Sequence, residues 1–300
     1  MVTQHMDSRR FVRLMGQGGG RDFLRGDYCF NTLHSGISLH GGRMTAVRDL
    51  HCSRLAGAYI SFVLLFEGTL DFGINRDRYR FDADGGRVVL VAAGEEVLFS
   101  RYLHRGETTV KLSLRGIEHW LMRPARPQLL AHVYSERVRS WPLDGATAAL
   151  AGECLRASLG NVADALQREA DVLRLLADLW RGFMVRYPRR EGGDAAVPPA
   201  GFAALLNEAF DGGIHHVGGL AAALNVSERT LQRKLHGHFG ITAGEWLRHK
   251  HMQYALYMLS MGKASIGEVA YNCGYRHASS FTQAFRKYFG CTPAEVRPKG

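Results

Sequence analysis

Between about residues 36 and 114, apolar and polar positions alternate over short runs broken by Gly, Asn and Asp. Residues 59–66, 69–74, 79–81, 87–92 and 109–114 have the length and two-residue period of strands. Glu67-Gly68 and Asn75-Arg76-Asp77 supply turns between them. Many short strands at this spacing predict a small barrel or sandwich. From about residue 143 the period lengthens: Leu150 and Cys154, then Leu166, Leu173, Leu176, Trp180 and Phe183, recur at helical spacing. Helices near 143–158 and 161–186 are predicted. Charged Arg168, Glu169, Asp171 and Arg174 flank the apolar stripe of the second helix. That stripe suits packing on the strands or a homodimer seam, although three heptads are short for a coiled coil. Residues 188–200 mix Gly, Pro and charge with little apolar content and read as a linker. The first 27 residues, polar and containing Gly18-Gly19-Gly20, read as loose.

Beyond residue 200 the pattern repeats itself. Leu231, Leu235, Phe239, Gly240 and Thr242 recur fifty residues on as Phe281, Phe285, Phe289, Gly290 and Thr292. Ala221 recurs forty-nine residues on as Ala270, so the second copy has one extra residue in its turn. Each copy predicts a short helix, a turn and a longer helix with one buried i, i+4, i+8 stripe. Asn225 and Gly274 fall where the chain must turn, and both residue types tolerate positive φ. Ser227, Thr242 with Glu245, Ser265 with Glu268, and Thr292 with Glu295 are capping signals, with Pro293 at N1. Gly240 and Gly290 suit the C′ positions. A connecting helix from Ala243 to about Leu259 would turn Trp246, Leu247, Ala255 and Leu259 inward. At about 1.5 Å per residue it reaches about 25 Å. That length can hold two reading helices over successive major grooves, roughly 34 Å apart.

The polar faces of the two long helices carry Arg229, Gln232, Arg233 and His236 in the first copy. In the second they carry Arg276, His277, Ser279, Thr282, Gln283, Arg286 and Lys287. Such side chains bind phosphates and read base edges. The whole chain has 38 Lys and Arg against 28 acids, a net +10, which favours a polyanionic partner. Seven of the 14 histidines also lie beyond residue 200, so acidification is expected to make that block more basic. Five cysteines without paired spacing (Cys29, Cys52, Cys154, Cys273 and Cys291) suit reduced thiols in a cytoplasm, not a disulfide framework or zinc site. No secretory signal is read in the polar first residues. The longest apolar run, around 58–66, is far short of the roughly 20 residues of a membrane span. No membrane partner is expected.

The run SIGEVAYNCGYRHASSFTQAFRKYFGCTP, Ser265 to Pro293, resembles the signature of the AraC/XylS family of bacterial regulators. LAAALNVSERTLQRKLHGHFG, from Leu220, is similar to it as well. The resemblance covers roughly residues 200–297. It implies an all-α domain of seven helices with two helix-turn-helix units, and double-stranded promoter DNA and RNA polymerase as partners. By position, Arg229, Gln232 and Arg233 match the base-facing residues of the first reading helix. Ala278, Ser279, Thr282 and Gln283 match those of the second. His277 and Arg286 lie beside them, and Ala278 can offer only a methyl contact to thymine. The chain departs from the pattern at His251-Met252, where an Arg-Leu pair is usual, and at Val296-Arg297, where Tyr-Arg is usual. The first departure puts in doubt whatever contact the usual arginine makes.

SGISLHGGRMTAV, FVLLFEGTLDFGI, RGETTVKLSLRGIEHWL and QREADVLRLLADLW resemble the sensor half of siderophore-responsive members, the alcaligin and pyochelin regulator type. That implies a cupin-like domain binding a ferric siderophore, and activation of siderophore synthesis and uptake genes. The expected architecture is therefore α+β in two domains. Residues 1–187 form a cupin-like β-barrel with helices, 188–200 a linker, and 201–300 the double helix-turn-helix domain. His34, His40, His51, His104, His119 and His132 form no His-x-His pair, and His104 and Glu107 on one strand would point to opposite faces. No metal site and no enzyme are read. Aromatic walls from Tyr59, Phe62, Phe66, Phe72, Tyr79, Phe81 and Tyr102 are expected around an effector pocket, with Arg78, Arg80, Arg101 and Lys111 facing an anion or iron chelate. Tyr59, Phe62, Tyr79, Arg101 and Tyr102 are the principal candidates. Two alternatives stay open: an AraC-type regulator of catabolic or stress genes with another effector, and a cupin-like enzyme or carrier with a DNA-binding domain attached.

Overall fold

The computed structural model describes residues 24–118, 127–156, 161–188, 201–262, 264–289 and 291–297. Residues 1–23 of the expected loose segment, 189–200 of the expected linker, and Gly290 lie outside them.

Ten strands form the N-terminal half: β1 (Leu24–Thr32), β2 (Ser38–Ala46), β3 (Leu50–Ala56), β4 (Tyr59–Glu67), β5 (Thr69–Ile74), β6 (Asp77–Asp82), β7 (Arg87–Ala93), β8 (Val97–Leu103), β9 (Thr108–Arg115) and β10 (Val138–Pro142). They make two sheets, not a closed barrel. The first is ordered β1-β2-β9-β4-β7-β10 and the second β3-β8-β5-β6. The chain changes sheet between β4 and β5, where the register shifts between Leu65 and Glu67. Gly68 makes this crossing at φ +80°, and a Cβ there would lie 1.9 Å from the carbonyl oxygen of Thr108. Strands β1 and β10 remain edges of one sheet and β3 and β6 edges of the other, so the barrel has no closing pair. The predicted strands match β4, β5, β6, β7 and β9, and β1 occupies the end of the segment expected to be loose.

Helices α1 (Pro127–Ser135), α2 (Gly145–Arg156) and α3 (Val162–Arg186) accompany the strand half; α1 has no counterpart in the sequence reading. Alternation divides β4 cleanly. Ile60, Phe62 and Leu64 join Val172, Leu175, Leu179 and Phe183 of α3 in one buried cluster. Burying each such side chain contributes about 1.5–3 kcal/mol, so the α3 stripe serves packing. Leu166, expected in that stripe, is 68% exposed. Asn161 and Asp164 close a capping box at the start of α3. Glu169 accepts the Ser35 amide at 2.6 Å, and buried Arg168 donates to the Cys154 carbonyl at 3.0 Å. Both ends of these contacts tie α3 to the sensor half.

The C-terminal part contains α4 (Phe202–Asp211), α5 (Val217–Ala223), α6 (Glu228–Phe239), α7 (Ala243–Ser260), α8 (Ile266–Asn272), α9 (Ala278–Phe289) and α10 (Pro293–Val296). The predicted signals appear where expected. Ser227 caps α6, and capping boxes start α7, α8 and α10. Asn225 turns at φ 52°, Gly274 at φ 80°, and Gly240 ends α6 at φ 79°. Leu231, Leu235 and Phe239 fill one core and Phe281, Phe285 and Phe289 a second. Helix α7, with 18 residues and about 27 Å long at 1.5 Å per residue, contributes to both. Trp246 and Leu247 enter the first core, Ala255 and Leu259 the second. No described helix is long and apolar enough to cross a membrane.

Candidate nucleic-acid interface and effector cavity

Each reading helix buries its apolar stripe and turns the opposite face outward. On α6, Arg229 and Arg233 are exposed; so are Ala278, Ser279, Gln283 and Arg286 on α9 and His277 just before it. Two expected readers are engaged within the domain. The Gln232 Oε1 accepts the Ala243 amide at 3.0 Å, helping to cap α7. The Thr282 hydroxyl donates to the Ala278 carbonyl at 2.8 Å, a common back-bond within a helix. The expected gain of charge on acidification needs correction at two positions. Burial, with Arg248 beside it, pushes His249 down to about 4. Burial, with His215, does the same to His251. Both stay neutral through the mildly acid range. The Nδ1 of His249 is hydrogen-bonded to the Tyr288 hydroxyl. His251, where the family pattern has Arg, packs against the stacked rings of Phe210 and His215 at distances of 5.5 and 5.4 Å. It is held in the first core's margin.

Between the two sheets lies a cavity of about 500 Å³. The first sheet lines it with Tyr59, Ser61 and Val63 of β4 and with Lys111, Ser113 and Arg115 of β9. The second sheet contributes Arg54 of β3, Phe72 of β5, and Phe99 and Arg101 of β8. Phe30 and His40 complete one end. Arg115 lies over the Tyr59 ring, 5.2 Å from its centroid. Burial and the surrounding arginines hold His40 well below its ordinary pKa.

Of the expected pocket residues, Tyr59, Phe72, Arg101 and Lys111 line this cavity. Phe62, Phe66, Tyr79, Phe81 and Tyr102 are not among its lining residues. Phe62 is fully buried on the opposite face of β4, edge-on to Trp141 and Trp180 at 6.2 Å each. Tyr79, on edge strand β6, stacks on the Phe72 ring at 5.4 Å. Tyr102 points away from Arg101 by strand parity; it stacks on His51 at 4.5 Å and lies under Arg78. Arg78 and Arg80 also face outward, pairing with the buried carboxylate of Asp71 at 2.8 and 3.6 Å. His104 donates to the same carboxylate, 3.2 Å away, from the β8–β9 turn, so the premise of a shared strand with Glu107 does not hold. Sequence reasoning missed Arg54, Ser61, Ser113 and Arg115. The run Lys111-Leu112-Ser113-Leu114-Arg115 carried the signal: polar residues at period two on a strand whose other face, Leu112 and Leu114, is core.

The ladder between β3 and β8 has two occupied faces. Arg54 is paired with Phe99 and Cys52 with Arg101; Arg54, Phe99 and Arg101 line the cavity. The alternate pair, Leu55 and Leu98, belongs to the apolar core of the first helix-turn-helix unit, with Leu206, Phe210 and Trp246. Polar contacts reinforce this docking. Gln253 of α7 donates to the Leu55 carbonyl. Lys250 of α7 reaches buried Glu96 at 3.1 Å and Asn207 at 2.7 Å. Burial raises the Glu96 pKa, and Lys250 opposes that shift.

Comparison with known proteins fits both halves. Residues 220–299 match the model of a helix-turn-helix domain family, and residues 25–192 match the regulatory protein PchR N-terminal domain. This chain belongs to the AraC/XylS family of regulators. Its N-terminal half belongs to the PchR N-terminal domain family. The virulence regulon transcriptional activator VirF of Yersinia enterocolitica is 39% identical over 59 residues, 20% of this chain and 22% of that protein. The transcriptional activator RhaS of Escherichia coli O139:H28 is 31% identical over 78 residues, 26% of this chain and 28% of that one. The chain thus matches under a third of the length of either relative. A crystal structure of apo ToxT from Vibrio cholerae, a lysine-to-alanine variant, superposes with a TM-score of 0.51 at 12% identity. It covers 88% of this chain and 98% of that one, a likeness of fold.

Proposed function

We propose that this AraC-type regulator binds promoter DNA through α6 and α9 and is governed by a small molecule held between its two sheets. The observation that carries the reading is the β3–β8 ladder, with the cavity on one face and the first helix-turn-helix unit on the other. A ligand touching Arg54 or Phe99 acts one residue away from Leu55 or Leu98. Such a ligand shifts the DNA-competent population only through different affinities for two arrangements of that ladder. The match to the PchR N-terminal domain supports a siderophore signal. We read the chain as a cytoplasmic activator of siderophore synthesis and uptake genes, working with RNA polymerase, as a homodimer. We read the sensor half as cupin-like in kind, and as a binding domain and not an enzyme. The cavity's described lining gathers cations, hydroxyls and rings, as a binding cavity for an anion would.

The test is genome-wide occupancy in the host under iron starvation, with and without its native siderophore. Peaks upstream of siderophore synthesis and receptor genes, with transcription changing on siderophore addition, are expected. Discrete peaks at other operons, indifferent to iron, would keep the regulator and replace the effector. An absence of discrete peaks in both conditions would remove the DNA-binding role.

A further inference from the structure

We infer that the cavity takes a compact organic anion with an apolar, ring-bearing body: a carboxylate or phenolate, free or as a net-negative iron(III) chelate. The inference deepens the regulator reading and rests on its choice of cavity. Four cationic side chains converge there, Arg54 and Arg101 from one sheet and Lys111 and Arg115 from the other, and no Asp or Glu is among the described residues that line the space. Several other cations of the chain do have carboxylate partners: Arg78 with Asp71 at 2.8 Å, Arg139 with Glu136 at 2.6 Å, Lys250 with Glu96 at 3.1 Å. Among the described residues, none of the four cavity cations has a carboxylate partner. The cavity therefore stands out by charge and not only by shape.

Its polar atoms are equally unserved. The Nε of Arg54, the Nε of Arg115, the Tyr59 hydroxyl, and the Ser61 and Ser113 hydroxyls are buried without a hydrogen-bond partner. Gathering unpaired like charges and orphaned donors in one enclosed space is costly. Burial, together with Arg101 and Arg115, holds the Lys111 ammonium well below its usual pKa. A bound anion reverses each of these penalties at once. The apolar part of the lining is Phe30, Val63, Leu70, Phe72, Val91 and Phe99, half of it aromatic. It suits a ring-bearing body and not a bare inorganic ion. A chelate of net positive charge would add to four cations, so charge selects among iron complexes as well as among free acids.

The test uses the purified full-length protein and three probes: 2,3-dihydroxybenzoate, its iron(III) complex, and the neutral amide 2,3-dihydroxybenzamide. Thermal unfolding and calorimetric titration are read. The free acid or its iron complex is expected to raise the melting temperature saturably, and the amide at equal concentration is not. A tighter Kd for the iron complex than for the free acid identifies the chelate as the form recognised; the reverse identifies the free acid. Replacing both Arg101→Met and Arg115→Met should weaken the anion about tenfold or more, as loss of charge-assisted contacts does. Ligand-free Lys111→Met protein should melt higher than the parent, because one of four like charges is gone. Equal responses to acid and amide, or no response to either anionic form, would overturn the inference. So would a ligand-free Lys111→Met protein that melts lower. Anion binding that leaves operator affinity unchanged keeps this inference and defeats the regulator reading instead.

Discussion

His249 and His251 show how residue environment overrides residue type. In an unfolded chain both titrate near pH 6.5; in the fold burial holds each to about 4. Between those values the unfolded chain binds more protons than the folded one, so stability is present above about pH 6.5 and drains away as pH falls. Urea midpoints measured from pH 7 to pH 4 should decline, and His251→Leu should flatten part of the slope. An unchanged slope in that variant would show that His251 is not one of the groups responsible. Exposed Arg233 has a different task. Arg233→Ala should cost about 1–3 kcal/mol of operator affinity and relax preference at one base pair. A uniform loss across sequences would mean that Arg233 touches phosphate alone. Local chemistry of this kind was legible in the chain: Ser227, Thr242 with Glu245, and Asn225 act as their types foretell. Gln232 was not, because its partner, the Ala243 amide, belongs to the next helix.

Elements whose two faces differ in polarity were read well, and elements with two buried faces were not. Helices α6 and α9 have one apolar stripe and one polar face, and period alone placed them. Strand β9 buries Leu112 and Leu114 toward α3 and presents Lys111, Ser113 and Arg115 to an interior cavity. A polar period suggests solvent to anyone who cannot see the second sheet. Tyr102 and Phe62 failed as pocket residues for the same reason: parity within a strand is certain, but which parity faces the ligand depends on partners distant in sequence. The β3–β8 ladder makes a prediction at this scale. Leu55→Ala removes an apolar plug from the first helix-turn-helix core without touching the cavity face. The effector should bind the variant as before, while operator affinity should stop responding to it. Loss of both in parallel would show that the ladder only holds the sensor together.

At the scale of the whole molecule, the two halves meet through a buried ion pair as well as through leucines. Lys250 and Glu96 are 13% and 8% exposed. Removing one partner leaves the other buried and uncompensated, at a cost of about 3–5 kcal/mol. Lys250→Met should therefore lower the melting temperature by several degrees, and Glu96→Gln in the same chain should recover most of the loss. No recovery would place the role of Lys250 with Asn207 or with the rings beside it. Nothing in the sequence announces this contact. Glu96 and Lys250 are separated by more than half the chain, and each alone looks like a surface charge. The family signature revealed the two units but not the orientation in which they dock.

The alternation of the β3–β8 ladder also bears on how such a sensor can change its signal. Positions 52, 54, 99 and 101 belong to one face, and 55 and 98 to the other. Ligand preference can drift by substitution at the first set while the second keeps its grip on the DNA-binding half, so new effectors need not cost old wiring. An insertion of one residue in β3 would trade the two sets, seating arginine in the interdomain core and leucine at the ligand. Chains descended from this design should tolerate varied side chains at those four positions and almost no change in the strand's length.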